Sequence, residues 1–211
     1  MIKSPTTFIL ALLFAAVLPC SAAEAEATPV ERLTVKDGFK VERLYSVPKD
    51  KLGSWVTLCK DDKGRLIACD QYGSLYRFAP PAPGATLKDS DIEKIDVDMG
   101  HAWGMCYAFG ALYVVVNDKA HGGRGLYRVK DSDGDDRFDK VELLKKFEEN
   151  GGEHGPHAVI PSPDGKSLYV ACGNQTSLPE GYDSSRVTEC WGEDNLLPRV
   201  YGRGFMKGVE A

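Results

Sequence analysis

Two stretches of this chain have the residue types and spacing for chemistry. The first is Asp131-Ser132-Asp133-Gly134-Asp135-Asp136-Arg137-Phe138-Asp139-Lys140-Val141-Glu142. A twelve-residue calcium loop places oxygen ligands at positions 1, 3, 5, 7, 9 and 12, with an apolar residue at 8. Asp131, Asp133, Asp135, Asp139 and Glu142 fall at positions 1, 3, 5, 9 and 12, the Arg137 carbonyl at 7 and Phe138 at 8. Position 6 is Asp136 where a glycine is expected, which should strain the turn. These carboxylates repel one another unless a cation sits among them, and the same segment also reads as a solvated acidic loop. The second stretch is Gly152-Glu153-His154-Gly155-Pro156-His157, which holds two of the chain's four histidines. Histidine serves as base, proton shuttle or metal ligand, and His157 reads as the candidate base. Its structural alternative is a histidine bonded to neighbouring backbone. Asn174 and Gln175 follow the next strand, where their amides could fix a polar ligand or form a plain turn.

The elements that must position these residues read as short strands. Trp55–Cys59, a turn at Asp61–Gly64, Leu66–Asp70 and Gly73–Phe78 form one unit. Ala102–Tyr107, Leu112–Val116 and Gly125–Val129 repeat it. His157–Ile160, a Ser162-Pro163-Asp164-Gly165 turn and Leu168–Ala171 begin a third copy. His101 and Trp103 open the second copy where His157 opens the third. Phe39–Leu44 alternates apolar and polar residues and reads as a lead-in strand. The anchors Leu66, Leu112 and Leu168 lie 46 and 56 residues apart, the period of propeller blades. The fold expectation is therefore all-β: an incomplete β-propeller of about three antiparallel blades, with a β-sandwich meander as the alternative. A propeller needs about four blades or more, so the chain reads as a fragment, a truncated product or one part of an assembly.

Composition narrows the function classes. The net charge is −5, and no basic face of the kind nucleic acid requires is evident. Lys3, the apolar run Phe8–Leu18 and Ser21-Ala22-Ala23 read as a secretory signal over residues 1–23. The alternatives are an uncleaved anchor and, from Val17-Leu18-Pro19-Cys20, a lipoprotein box. No second apolar span follows, so the mature chain is expected to be exported, periplasmic or extracellular, without a transmembrane span. Of six cysteines, Cys20 leaves with the signal. The odd number remaining implies a free or intermolecular thiol, with Cys172 and Cys190 the first disulfide pair to test. There is no phosphate loop, dinucleotide fingerprint, nucleophile elbow or HExxH helix.

Glu153–Val159, Pro163–Val170 and Gly173-Asn174 together resemble the quinoprotein glucose/sorbosone dehydrogenase-like propellers. They are most similar to the large exported membrane-bound-dehydrogenase proteins of planctomycete-type bacteria. Leu126-Tyr127-Arg128 with the Asp131–Glu142 loop, and Asp194–Arg199, are similar to those proteins as well. The resemblance runs over residues 28–211. It implies the N-terminal part of a six-bladed propeller, usually followed by helical repeats and a cytochrome c-like domain. It also implies pyrroloquinoline quinone with calcium, oxidising a sugar or alcohol. By that resemblance His157 is the base, His154, Asn174 and Gln175 contact the cofactor, and calcium polarises the quinone. Where the characterised enzymes place an arginine, this chain has Ser177 and Leu178. The alternative function is a non-catalytic exported module binding glycan or protein, with a purely structural calcium loop.

Overall fold

A computed structural model describes residues 28–147, 154–173 and 175–176. The signal segment, Asn174, Ser177, Leu178, Cys190 and the tail from Asp194 lie outside the described residues. The chain divides into two compact units, Met1–Val41 and Glu42–Ala211. The described part of the first carries one 3-10 turn, Val30–Arg32. The expected strand at Phe39–Leu44 does not form. Phe39 is exposed, and the Leu44 carbonyl instead accepts a single hydrogen bond from the Leu87 N–H.

The second unit is nearly all β, propeller-like and incomplete. After a four-residue helix, α1 (Lys49–Leu52), come β1 (Trp55–Lys60), β2 (Leu66–Asp70), β3 (Leu75–Phe78) and β4 (Glu93–Lys94). They form a four-stranded antiparallel meander. The strands β5 (Ala102–Ala108), β6 (Ala111–Val116), β7 (Gly125–Lys130) and β8 (Lys140–Lys146) repeat that meander, and β9 (Pro156–Pro161) pairs with β10 (Leu168–Cys172). The innermost strands are neighbours: β5 packs against both β1 and β9. Two sheets are complete four-stranded blades, and the third shows its first two strands among the described residues.

The run Ala111-Leu-Tyr-Val-Val-Val116 is buried throughout, as expected of a strand covered on both faces. Its side chains alternate between two cores. Leu112, Val114 and Val116 pack with Ile67, Leu75, Met99 and Tyr127. Tyr113 and Val115 pack with Cys106, Leu126 and Val159. The middle sheet is thus the filling between the other two. Full burial of each such Val or Leu stabilises by about 1.5–3 kcal/mol. The outer sheets expose Val56, Leu58, Ile160 and Tyr169.

Two strands were not foreseen. β4 has only two residues. β8 has exposed residues over most of its length, so burial leaves no alternation to read. β8 begins at Lys140 and therefore takes Glu142 out of the acidic loop. Cys59, Cys69, Cys106 and Cys172 carry free thiols. Burial pushes the Cys59 and Cys69 thiols up to about 12, so these two behave as inert small hydrophobes.

Candidate functional site

The pairing registers assign every loop to one of two ends of the blades. Ala102 pairs with Val116, Val116 with Gly125, and Gly125 with Lys146. Trp55 pairs with Asp70, and Pro156 with Cys172. All of these lie at one end, which also carries His101, Asp118, His121, His154, His157 and Gln175. The opposite end carries the turns after β1, β5 and β9, and the β7–β8 loop with the acidic cluster. β7 is six residues long, so at about 3.3 Å per residue the two ends stand about 20 Å apart.

At the histidine end, His157 is the second residue of β9 and Trp103 the second of β5. Their rings lie 5.2 Å apart, tilted by 55°, and both are half-buried. Gly104 makes this approach possible: a Cβ there would meet the His157 carbonyl oxygen at 1.8 Å. His101 Nδ1 lies 2.7 Å from Asp118 Oδ2, while Asp118 Oδ1 accepts the Ala120 N–H at 2.7 Å. The carboxylate therefore holds the imidazole and its own loop together. The His121 ring packs edge-on to His101 at 5.6 Å, and Tyr72, from the turn between β2 and β3, packs edge-on to His101 at 6.3 Å. Asp118 and His121 have no local sequence signature. The register would have found Asp118: it stands two residues past Val116, the partner of Ala102, so it must come beside His101.

His154 and Gln175 are zipped together. The His154 N–H donates to Gln175 Oε1 at 2.8 Å, and the Gln175 N–H donates to the His154 carbonyl at 3.1 Å. A Cβ at Gly173 would meet the His154 carbonyl oxygen at 2.3 Å, so glycine is needed for that contact. The amide oxygen expected to hold a cofactor is here committed to backbone. Two of the histidine side chains are matched with carboxylates, Asp118 for His101 and Asp98 for His121. A tricarboxylate quinone needs cationic partners; Arg124 at this end already gives its Nε to the Asn117 carbonyl at 3.0 Å, so the described residues do not by themselves fit pyrroloquinoline quinone.

At the acidic end, the carboxylates of Asp131, Asp133 and Asp135 come together, with ligand oxygens within 4.8 Å of one another. This all-oxygen set suits a hard cation such as calcium. The loop holds its own shape through the same side chains. Asp131 accepts the N–H groups of Gly134 at 2.6 Å and Asp136 at 2.8 Å. Asp135 accepts the Arg137 N–H at 2.9 Å. Asp139 is turned to the hydroxyl and N–H of Ser132. Glu142 stands apart on β8, where it accepts from Arg128 Nε at 2.8 Å and pairs with Lys140 at 2.9 Å. Lys140 and then Arg128 hold its carboxyl down at about 2.

Asp136 explains the departure at position 6. Its φ is +71°, the left-handed region that glycine would supply. Its carboxylate accepts from Arg65 Nη1 and Nη2 at 2.6 and 2.7 Å and pairs with Lys63 at 2.8 Å. Arg77, a buried residue also held by Glu93 at 2.9 Å, reaches the Asp136 carbonyl at 3.1 Å. Buried Asp61 orients Arg65 from behind at 2.7 Å. Arg65, then Lys63, hold the Asp136 carboxyl far below the usual carboxylate range. Asp136 thus ties the acidic loop of one blade to the neighbouring blade, and Phe138 beside it plugs the shared core. No helix among the described residues is long and apolar enough to cross a membrane. The chain matches no protein-family model and no curated protein.

Proposed function

We propose that this is an exported propeller module whose histidine end binds a sugar or another polyhydroxylated ligand, and whose acidic loop holds calcium as a structural brace. The observation that carries the first half is the Trp103–His157 pair, 5.2 Å apart, beside the carboxylate-held His101. An aromatic face with convergent polar groups is the usual composition of a small-ligand site. Trp103 offers a surface for the apolar side of a sugar ring. His157 and His101 offer nitrogen donors and acceptors for its hydroxyls. Asp131, Asp133 and Asp135 would hold the calcium, which would neutralise three carboxylates and stiffen the β7–β8 connection. The distance between the two ends argues against that ion acting on a ligand at His157.

The test is titration of the purified chain with a panel of monosaccharides, disaccharides and polyols by calorimetry. Saturable binding is expected, lost in Trp103→Ala and weakened in His157→Ala. Binding that survives both substitutions unchanged, or no binding across the panel, refutes the reading.

A second reading, oxidation of the bound hydroxyl, is favoured by the position of His157 at the start of a strand on this face. His157 would take the hydroxyl proton on a ring nitrogen. Pyrroloquinoline quinone would have to be held by residues beyond those described, and would there supply hydride-accepting chemistry. Dye reduction that requires both quinone and calcium, and that disappears in His157→Ala, supports this second reading. Sugar binding without dye reduction leaves the binding module alone.

A further inference from the structure

His101 and His121 share one arrangement, of which the sugar-binding reading uses only the His101 half. His101 Nδ1 lies 2.7 Å from Asp118 Oδ2, and His121 Nδ1 lies 3.3 Å from Asp98 Oδ1. In each ring a carboxylate lies beside Nδ1, and in His121 the Nε2 is left over. Histidines that ligate a metal through one nitrogen commonly give the other to a carboxylate, which fixes the ring and raises its basicity.

The spacing of the two rings is also compatible with a shared ion. Their centroids are 5.6 Å apart at an interplanar angle of 79°. Imidazoles bound through nitrogen at about 2.0–2.1 Å to one tetrahedral ion have centroids roughly 5–6 Å apart. His121 Nε2 is buried and makes no hydrogen bond, while the His121 side chain as a whole is 16% exposed. A buried polar atom without a partner is destabilising, and a bound cation removes that cost. Both residues have φ of +52°, an uncommon conformation for a residue with a side chain. The chain thus adopts the same unfavourable turn twice where these two rings meet.

We propose that His101 and His121 form a two-imidazole site for a borderline transition-metal ion of the zinc, nickel or copper class. Asp118 and Asp98 are its orienting carboxylates. Nitrogen ligands separate this site from the all-oxygen loop at the other end, which suits calcium. Two protein ligands leave coordination positions for water or for an oxygen of a bound molecule. The proposal goes beyond the sugar-binding reading and does not depend on it.

The test uses the purified chain stripped with chelator and titrated with Zn2+, Ni2+ and Cu2+ in excess calcium. One ion per chain is expected, not displaced by the calcium. The copper form should show hyperfine coupling to two imidazole nitrogens by electron paramagnetic resonance. The His101→Ala/His121→Ala double variant should lose the ion, and Asp118→Asn should weaken binding about 10–100-fold. If the double variant misfolds, the copper spectrum of the unmutated chain decides. No stoichiometric binding, a spectrum without two imidazole nitrogens, or full binding by a folded double variant overturns the proposal.

Discussion

The two ends of the blades solve opposite problems with similar residues. At the acidic end, outside the Asp131–Asp133–Asp135 cluster, charges are used up on one another. Asp136 is shared among Arg65, Lys63 and Arg77, and Glu142 among Arg128, Lys140 and Lys130. At the histidine end, each pair is one imidazole and one carboxylate, and His121 Nε2 is left with no hydrogen bond. The first end looks like a clamp between blades and the second like a place to receive something. Clusters of charge are therefore not equally informative. A network that satisfies its own members argues for structure, and one that leaves a nitrogen over argues for a ligand.

The substitution with the largest expected effect is Gly104→Ala. Its Cβ would strike the His157 carbonyl oxygen at 1.8 Å and Ala158 Cα at 2.9 Å, main-chain atoms that cannot step aside. Chemical denaturation should show a loss near the upper end of about 1–3 kcal/mol. Sugar binding should vanish while calcium binding remains, because the clash pushes β9 from β5 and leaves the β7–β8 loop alone. Calcium loss with sugar binding intact would reverse the assignment of the two ends.

Calcium itself should come next. If the loop binds it, a concentration one hundred times the dissociation constant raises stability by about 2.7 kcal/mol. Thermal melts with calcium and with chelator measure the difference. Asp133→Asn and Asp135→Asn should each shrink it, whereas Glu142→Gln should leave calcium affinity unchanged, since Glu142 is paired on β8.

Acid should loosen the clamp. Asp136 and Glu142 both have folded-state carboxyls held below their unfolded values. A depressed value means that the stability is fully present above the ordinary carboxylate range, about pH 4, and is lost as pH falls toward the folded values. Denaturation midpoints should therefore drop below pH 4, and Asp136→Asn should flatten that acid limb. The Asp136 side chain is 38% exposed, so screening limits the loss at neutral pH to about 1 kcal/mol. High salt should shrink it further.

The smallest effect expected is from Asp118→Asn. His101 and Asp118 are partly exposed, so the stability change should stay near about 0.5–1 kcal/mol. Ligand and metal affinity at the histidine end should fall more than stability does. A large stability loss with no change in affinity would make Asp118 a brace like Asp136.

Much of the scaffold was legible because both signals of a strand were present. Leu66–Asp70, Ala111–Val116 and Leu168–Cys172 combine β-branched or apolar runs with Gly or Asp-Gly turns, and all three form. β8 was not legible: Lys140-Val-Glu-Leu-Leu-Lys-Lys146 is an outer strand whose exposure erases the alternation. That omission had a consequence at the candidate site. Glu142 fits position 12 of a calcium loop by count, yet the ladder with β7 claims it first, pairing it with Arg128. Asp136 at position 6 read as strain alone. Its role needs Arg65, which is 71 residues away, and no local pattern can contain that. The separation of the acidic loop from His157 follows from hairpin alternation. It could have been worked out by walking the meander strand by strand.

The most direct test of the two-ended account is residue-resolved NMR of the chain titrated in turn with calcium and with the best sugar of the panel. The account predicts calcium-dependent shifts confined to residues 131–139 and the facing Lys63–Arg65 turn. It predicts sugar-dependent shifts confined to His101–Trp103, Asp118–His121 and His154–His157. Calcium shifts centred on the histidines, or sugar shifts centred on the acidic loop, would contradict it.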